Sequence, residues 1–275
     1  MMQRLVIGFF ALLWMPLNVS AETRTFGDIV IKGQFEPGGM LIGSAPPGST
    51  VKFGERSLAL SAEGEFVLGF GRDDKLEQSL KIVTSDGKVT PINLQLKARE
   101  YDIQRIEGVP ARTVNPDTSS LPRIREEGSQ VSRARYTDSD LRGYLQGFIW
   151  PVKGPVTGVY GSQRVFNGEP RRPHFGVDIA AAEGTEIQAP ADGVVTLAHP
   201  DMFFSGATMV IDHGRGISTS YLHMSKMLVK DGDSVKQGQT IGLVGATGRA
   251  TGPHLCWRLN WYQTKLDPQL VVPQQ

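Results

Sequence analysis

The sequence has a single cysteine, Cys256, among its 275 residues. One cysteine excludes an internal disulfide bond, and none stands near the end of the first apolar segment, which argues against export in a lipid-anchored form. A lone thiol is a liability in an oxidising compartment. Cys256 is therefore expected either to be buried or to have a function.

The chain also lacks an excess of charge of either sign, with a formal net charge of +1 at pH 7. Nucleic-acid binding would require a basic face, so no nucleic-acid partner is expected. Long apolar runs are missing after the first segment, and no transmembrane helix is expected there. Hydrophobic residues make up 40% and charged residues 21% of the chain, which is typical of a globular protein.

The first segment has the three parts of an export signal. Arg4 gives a positive charge, residues 5–14 form an apolar run, and Val19-Ser20-Ala21 is a small-residue cleavage site. The apolar run is too short to cross a bilayer as a helix. We therefore expect residues 1–21 to be a signal peptide that is removed after Ala21, which leaves a mature chain without net charge. The alternative is a retained N-terminal anchor.

Glycine and proline are abundant, at 32 and 17 residues, which favours turns and short strands over long helices. In residues 22–100, short apolar runs alternate with turn sequences such as Pro46-Pro47-Gly48-Ser49, which predicts a small β-sandwich. The strand candidates are residues 50–53, 57–60, 66–70, 80–84 and 92–96. No chemistry stands out here, so a packing or targeting module is the default interpretation.

Residues 101–149 are more polar and are predicted to be a connector that packs partly on the next domain. A mixed-charge run at 123–142 could form one exposed helix, with Thr137 or Asp138 as the cap of a second, short helix. Residues 150–275 form a second β-rich region with strand candidates at 193–198, 209–213, 217–223, 240–244 and 254–261. The predicted fold class is therefore all-β, with two β domains joined by a partly helical connector.

All five histidines fall in the second β-rich region, and histidine is the commonest metal ligand. His174 and Asp178 are four residues apart, so on an extended chain they point to the same face. Gly176 between them has no side chain, which lets the two converge on one point. Both donor types suit zinc at about 2.0–2.2 Å. The same spacing also fits a surface histidine beside a solvated aspartate.

Residues 254–261 alternate between polar and apolar without a break, which predicts a half-buried strand. Its apolar face belongs in the core, and its polar face begins with His254 and Cys256, both able to bind a metal. The polar face continues with Arg258 and Asn260. A small buried filler is the alternative for Cys256, and its place on the polar face argues against that.

The other three histidines have weaker contexts. Tyr221 and His223 are predicted to share one strand face, and a lone histidine at such a place is more often structural than catalytic. His213 lies in a turn sequence and His199 precedes Pro200. Both are predicted to be solvated loop residues.

Many ordered sequence blocks between Trp150 and Trp261 resemble the lysostaphin/LytM-type zinc peptidases, the M23 metallopeptidases. The blocks lie at residues 173–180, 184–185, 189–190, 192–195, 211–214, 221–223, 232–235, 238–239, 245–248 and 251–255. So many ordered blocks are far more specific than any single motif among them. The resemblance implies a compact antiparallel β-fold with the site in a groove.

The resemblance also implies roles for particular residues. His174 and Asp178 would bind Zn²⁺, and His223 and His254 would have acid–base and transition-state roles. The third ligand in the family is usually the second histidine of an H-x-H block, and that position is Cys256 here. A thiolate binds zinc at about 2.3 Å, but it donates more charge than an imidazole, so a zinc-bound water would be harder to ionise.

The implied activity is that of a zinc-dependent endopeptidase that hydrolyses peptide cross-links of bacterial peptidoglycan. Its partners would be peptidoglycan peptide stems, in the periplasm of a Gram-negative cell. Two alternatives remain open. The first is a catalytically weak or inactive regulator of the same fold that activates another cell-wall enzyme, because the third ligand is altered. The second is a carrier-type β domain, suggested by the turns Gly232-Asp233 and Gly238-Gln239, although the histidines have no place in it.

Overall fold

The structure is a computed structural model that describes residues 21–109 and 114–274. The predicted signal peptide lies outside these ranges except for Ala21. Within them the chain is built from β-strands with one α-helix, so the prediction of an all-β fold with a partly helical connector is confirmed. No helix in the described ranges has both the length and the apolar character needed to cross a membrane.

The N-terminal region consists of eight strands that form two antiparallel sheets. The strands are β1 (Glu22–Phe26), β2 (Ile29–Gly33), β3 (Met40–Ser44), β4 (Thr50–Phe53), β5 (Arg56–Leu58), β6 (Glu65–Gly69), β7 (Glu77–Val83) and β8 (Val89–Gln95). The sheet orders are β1-β2-β3-β6 and β5-β4-β7-β8. Alternate side chains of both sheets, such as Leu41 and Ile82, are buried in one core, as in a β-sandwich.

The connector contains strand β9 (Ile103–Ile106), helix α1 (Leu121–Arg135) and two single turns of 3₁₀ helix, Thr118–Ser120 and Gly143–Leu145. Pro122 lies in the first turn of α1, where a missing N–H breaks no helical hydrogen bond. The helix buries Glu127 and Ala134 and packs on the C-terminal sheet.

The predicted cap of a second helix at Thr137 or Asp138 is wrong. The next helical turn begins only at Gly143, and both side chains have other partners. The Thr137 hydroxyl donates to the Ala134 carbonyl at 3.0 Å, which closes the end of α1. The Asp138 carboxylate accepts a hydrogen bond from the Tyr262 hydroxyl at 2.9 Å.

The C-terminal region contains thirteen strands in the described residues. They are β10 (Val156–Gly158), β11 (Gln163–Phe166), β12 (Glu169–Pro170), β13 (Val177–Ala180), β14 (Glu186–Gln188), β15 (Gly193–Met202), β16 (Gly206–Gly214), β17 (Ile217–Met224), β18 (Lys226–Met227), β19 (Ser234–Val235), β20 (Thr240–Leu243), β21 (His254–Trp261) and β22 (Thr264–Leu266). A single turn of 3₁₀ helix follows at Pro268–Leu270.

The main C-terminal sheet has the order β10-β13-β21-β17-β16-β15-β19, and β22 also pairs with β21. Smaller sheets have the orders β14-β20-β18 and β12-β11-β9. The pairing of β9 with β11 is parallel, so the connector contributes an edge strand beside the C-terminal region. This arrangement places β13, β21 and β17 side by side in the centre of the main sheet.

Strand β21 is buried on both faces, not on one as the alternation predicts. Its apolar residues enter two cores: Leu255 and Trp257 join the core of the C-terminal region, and Leu259 and Trp261 join the core of the sandwich. The polar face is covered as well, because Cys256 and Asn260 are both buried. The period of two therefore indicates which residues share a face but not how that face is covered.

The sandwich and the C-terminal region share a continuous core. Leu266 packs against Gly69 of β6, and the rings of Phe53 and Trp261 lie 6.0 Å apart. The buried carboxylate of Asp267 forms an ion pair with Arg99 at 2.5 Å. These contacts join residues before position 100 to residues after position 150. The division of the chain into residues 22–100, 101–149 and 150–275 therefore stays a proposal.

Candidate metal centre and active site

Three side chains from two neighbouring strands bring their donor atoms together. Asp178 lies directly opposite Cys256 in the β13–β21 ladder, so both side chains point to the same face. His174 precedes β13 and reaches the same point: its Nε2 lies 3.2 Å from Asp178 Oδ1 and 3.5 Å from Cys256 Sγ. The donor atoms all lie within 4.8 Å of one another, and the three residues are buried.

The bonding of the Asp178 carboxylate fits a metal ligand. Its Oδ2 accepts a hydrogen bond from Arg164, which fixes the orientation of the group. Its Oδ1 is buried and makes no hydrogen bond to any described residue. A buried carboxylate oxygen is costly without a donor or a cation. This oxygen, Nε2 of His174 and the sulfur of Cys256 together form a donor set that suits zinc.

Gly176 is required at the centre of this arrangement, but not only for the predicted reason. A Cβ there would lie 2.6 Å from the Trp257 carbonyl oxygen and 2.7 Å from Cγ of Arg258. The space beside Gly176 is therefore not empty, since the stem of Arg258 runs through it. The convergence of His174 and Asp178 that the missing side chain permits is confirmed, with Nε2 of His174 3.2 Å from Oδ1 of Asp178.

The imidazoles of His223 and His254 lie beside the three donors, with ring centroids 4.8 Å apart. The Nδ1 atoms approach the carbonyl oxygens of Thr247 at 2.7 Å and Gly252 at 2.9 Å. A carbonyl oxygen can only accept, so each Nδ1 carries a proton. Nε2 is therefore the nitrogen that each ring offers to the site, and that of His254 lies 3.9 Å from Asp178 Oδ1.

His223 reaches the site because β17 is bulged. Met209 pairs with Tyr221 and Ala207 with Met224, so β17 contains one extra residue between the pairs. His223 has a φ of 66°, a left-handed conformation that costs about 1–3 kcal/mol in a residue other than glycine. Tyr221 and Met224 point into the core, and His223 points away from it. The prediction that Tyr221 and His223 share a face is wrong.

Burial and neighbouring charges set the protonation of the site. Burial alone would raise the pKa of Asp178, but His174, Arg164 and His254 hold that pKa well below its usual range. Burial lowers the pKa of His174, against the opposing charge of Asp178. Burial and then the charge of His254 lower the pKa of His223 to about 3, so its imidazole is neutral.

The thiol of Cys256 is protonated at neutral pH in the metal-free protein. Burial and the negative charge of Asp178 raise its pKa to about 11, although Arg258 and Arg164 act in the opposite direction. A metal that binds the thiolate must therefore displace this proton. Cys256 lies at the point where the other two donors meet, which argues against the alternative that it only fills space in the core.

The two remaining histidines lie away from this site. His213 is fully buried in β16, where its ring bonds to the Asp192 carbonyl and the Thr219 hydroxyl at 2.8 Å each. His199 lies half-buried in β15. The prediction that both are solvated loop residues is wrong, because β16 continues to Gly214, with the turn beginning only at Arg215, and β15 continues past Pro200.

No sequence pattern indicates two of the groups that position the site. Arg164, which orients Asp178, lies in a strand outside the matching blocks, and a lone arginine there reads as an ordinary surface charge. The Thr247 carbonyl that fixes the tautomer of His223 is a backbone group. Alternation predicts Arg258 on the polar face with Cys256, but it cannot show that the stem of Arg258 passes Gly176.

The C-terminal region matches a known family. The profile of Peptidase family M23 matches residues 172–268, a range that contains all five residues of the site. Residues of this chain are 46% identical over 104 positions to the peptidoglycan DD-endopeptidase ShyA of Vibrio cholerae, which is 34% of this chain and 24% of ShyA. The chain is also 41% identical over 102 positions to the DD-carboxypeptidase/endopeptidase Mpg of Neisseria meningitidis. That alignment covers 37% of this chain and 22% of Mpg.

The matched region thus spans about a quarter of the length of these curated relatives. A solved structure extends the similarity to the N-terminal region. It is a Pseudomonas aeruginosa protein assigned to peptidase M23, with a TM-score of 0.67 and 29% identity. The alignment covers 86% of this chain and 95% of that one, so the sandwich, connector and C-terminal sheet occur together in both.

Proposed function

The chain carries a domain of peptidase family M23, and on this premise we propose that it is a zinc-dependent endopeptidase that hydrolyses peptide cross-links of bacterial peptidoglycan. The observation that supports this most strongly is the convergence of His174, Asp178 and Cys256 beside two histidines. Relatives of the M23 region are named peptidoglycan DD-endopeptidases. The proposed scissile bond is therefore a D,D-peptide bond of the cross-link.

His174 Nε2, Asp178 Oδ1 and Cys256 Sγ would hold the metal, for which we propose zinc because it accepts nitrogen, oxygen and thiolate sulfur equally well. Bound zinc would lower the pKa of a water molecule and polarise the scissile carbonyl. Arg164 keeps Oδ2 of Asp178 occupied, so that Oδ1 stays directed at the metal.

The two histidines would handle protons next to the metal. His223 is neutral and presents an unprotonated Nε2, so it is suited to take a proton from the attacking water. His254, whose Nε2 lies 3.9 Å from Asp178, would act with both ring nitrogens protonated: its Nε2 proton would stabilise the charge that develops on the substrate and pass to the leaving amine, and the proton taken up by His223 would replace it. The buried setting of the His223 ring keeps bulk water from competing for its proton.

We further propose that the protein acts in the periplasm, after removal of residues 1–21. The support is the Arg4 charge, the apolar run and the small-residue cleavage site in the sequence. Peptide stems of peptidoglycan would then be the substrate. N-terminal sequencing of the protein from a periplasmic fraction tests the cleavage: a start at Glu22 supports it, and a start at Met1 contradicts it.

The activity is tested by incubating zinc-loaded protein with purified cell-wall sacculi and identifying the released peptides by mass spectrometry. The wild type is expected to create new peptide termini, whereas His223→Ala should lose at least about 100-fold in rate with its zinc content unchanged. His199→Ala is the matched control, because it removes a histidine outside the site. Stoichiometric zinc without peptide release from the wild type would refute the proposal.

The same variant separates an enzyme from a regulator. If the protein activated another cell-wall enzyme without cutting peptides itself, His223→Ala would keep its effect on cell-wall morphology in a deletion strain. The peptidase proposal predicts that this variant fails to complement. The raised pKa of the Cys256 thiol is the one observation that favours a weak enzyme, since the metal must displace a strongly held proton.

A further inference from the structure

The turn between β15 and β16, residues 203–205, holds the backbone of His223. The Ser205 carbonyl oxygen accepts a hydrogen bond from the His223 backbone N–H at 2.8 Å. Just after the turn, the Ala207 N–H donates to the Thr247 hydroxyl at 3.0 Å, and the Thr247 carbonyl oxygen is the group that fixes the ring of His223. The position of the turn therefore sets both the backbone and the imidazole of His223.

The connector helix α1 in turn holds the 203–205 turn. The Phe203 N–H donates to Oε2 of Glu127 at 2.8 Å, and Oε1 of Glu127 accepts a hydrogen bond from Nε of Arg123 at 2.6 Å. Arg123 also donates to the Asp201 carbonyl oxygen at the end of β15. Glu127 is buried, and a buried carboxylate is costly unless its oxygens are bonded. Both of its oxygens serve the contact between α1 and the turn.

The other end of α1 is fixed to the main sheet. Arg135, the last residue of the helix, donates to the Ser220 hydroxyl of β17 at 3.1 Å. The Thr196 hydroxyl of β15 donates to the Ala134 carbonyl oxygen at 3.3 Å. Because α1 is anchored at both ends, it fixes the position of the turn in the way that supporting contacts fix a side chain in an active site.

His223 needs such support more than the metal-binding residues do. Its φ of 66° is a strained conformation, which persists only where the surrounding structure enforces it. Asp178 and Cys256 are instead held by the pairing of β13 with β21. Loss of the contact between Glu127 and Phe203 should therefore disturb His223 and leave the metal-binding residues in place.

We propose that Glu127 is a positioning residue for the reaction: through the 203–205 turn it holds His223 at the metal centre. The inference rests on the proposed peptidase function, in which His223 takes a proton from the attacking water. Glu127 lies outside residues 172–268, the range that the family profile matches. The connector is therefore a working part of the active site and not only a link between the two β-regions.

Kinetics on soluble cross-linked peptides from sacculi test the role of Glu127 in the reaction. Glu127→Ala removes the acceptor of the Phe203 N–H, so kcat should fall by about 10-fold to 100-fold while KM and zinc content stay close to those of the wild type. Glu127→Gln keeps one acceptor oxygen and should recover part of the rate. Glu126→Ala is the matched control and should behave like the wild type, because Glu126 is exposed on the same helix and pairs with Arg133.

A spectroscopic measurement separates failure of this inference from failure of the proposed function. In NMR spectra of isotope-labelled histidine side chains, the Nδ1 proton of His223 reports its bond to the Thr247 carbonyl oxygen. The Nδ1 proton of His213, bonded to the Asp192 carbonyl oxygen, reports the fold. Glu127→Ala should shift the His223 signal or speed its exchange with solvent, and should leave the His213 signal unchanged, whether or not the protein digests sacculi.

Should Glu127→Ala fail to fold, Glu127→Asp takes its place, because it keeps the charge but its shorter side chain withdraws the oxygen from the Phe203 N–H. The same changes in the His223 signal and in kcat are expected. An unchanged His223 signal and an unchanged kcat in the folded variant would overturn the inference, although peptide release would still support the peptidase. A disturbed His223 signal in a protein that releases no peptide would support the positioning contact and count against the peptidase.

Discussion

Cys256 and His223 are the two residues whose surroundings depart most from those of an ordinary strand position. Cys256 brings a thiol to the point where a nitrogen and an oxygen donor already meet. His223 holds a left-handed backbone conformation inside a bulge, and its ring is kept neutral by burial. Strain of this kind persists only where the surrounding structure enforces it, and here it directs Nε2 at the site.

The strain at His223 predicts different stabilities for two substitutions. Alanine tolerates a positive φ poorly, whereas asparagine is among the residues that adopt it most readily. Both variants should lose activity, but His223→Ala should unfold at lower denaturant concentration, with about 1 kcal/mol less stability than His223→Asn. Urea unfolding checks this. Equal stabilities of the two variants would mean that the left-handed conformation is not a source of strain.

Local spacing predicted the pairs His174–Asp178 and His254–Cys256, because it determines which side chains share a face. That the two pairs meet at one site was implied only by the family resemblance. Local spacing failed for the orientation of His223, since the bulge depends on how β17 pairs with β16. It also failed for His213. A turn motif indicates where the chain reverses but not whether a neighbouring strand covers the residues before it.

The pairing of β13 with β21 is the element on which the metal centre depends. The ladder sets Asp178 against Cys256 in register. The close approach of Gly176 to the Trp257 carbonyl oxygen brings the segment before β13 onto β21. A shift of one residue would turn one of the two donors to the opposite face of the sheet. The geometry of the site therefore depends on the packing of the backbone of β13 and β21 as well as on the three ligand side chains.

A methyl group at Gly176 should disturb this contact. Gly176→Ala would place a Cβ 2.6 Å from the Trp257 carbonyl oxygen, so we expect a loss of about 1–3 kcal/mol in the free energy of unfolding and weaker metal binding. Gly252→Ala is the control in the same region, because a Cβ there has nothing within 4 Å. Urea unfolding and zinc titration of both variants measure the difference. Similar behaviour of the two would argue against the close approach.

Strand β16 carries a buried histidine that links stability to pH. Burial lowers the pKa of His213 from 6.5 to about 4, so the folded protein keeps it neutral while the unfolded chain binds a proton at higher pH. Its stabilising contribution is therefore complete above pH 6.5 and is lost as the pH falls towards 4. Between pH 8 and pH 5 the loss is about 2 kcal/mol.

His213→Gln removes this proton-binding group, so its free energy of unfolding should fall less than that of the wild type over the same pH interval, by about 2 kcal/mol. Urea unfolding at the two pH values measures the difference. The other buried histidines are present in both proteins and cancel in the comparison. An identical fall in the two proteins would place the acid sensitivity in other groups.

At the scale of the whole molecule, the sandwich and the C-terminal region are packed together as one body. Their cores meet where Leu259, Trp261 and Leu266 join the residues of the two N-terminal sheets. The sequence predicted the strands of both regions from turn spacing and alternation. It could not predict the shared core, because contacts between distant segments leave no local pattern.

A shared core predicts cooperative unfolding of the full chain. Leu266→Ala removes a buried side chain that packs on Gly69, so we expect a loss of about 2–5 kcal/mol and a single transition that moves as a whole. In each of the two proteins, tryptophan fluorescence and far-ultraviolet circular dichroism should report one common midpoint. Two separate transitions would mean that the regions fold independently.

The measurement that tests the central claim most directly is X-ray absorption at the zinc K-edge on the purified, zinc-loaded protein. Ligation by His174, Asp178 and Cys256 predicts one sulfur scatterer at about 2.3 Å together with nitrogen and oxygen at about 2.0–2.2 Å. The sulfur contribution should disappear in Cys256→Ser. Failure to retain zinc, or a shell of nitrogen and oxygen alone in the wild type, would contradict the account.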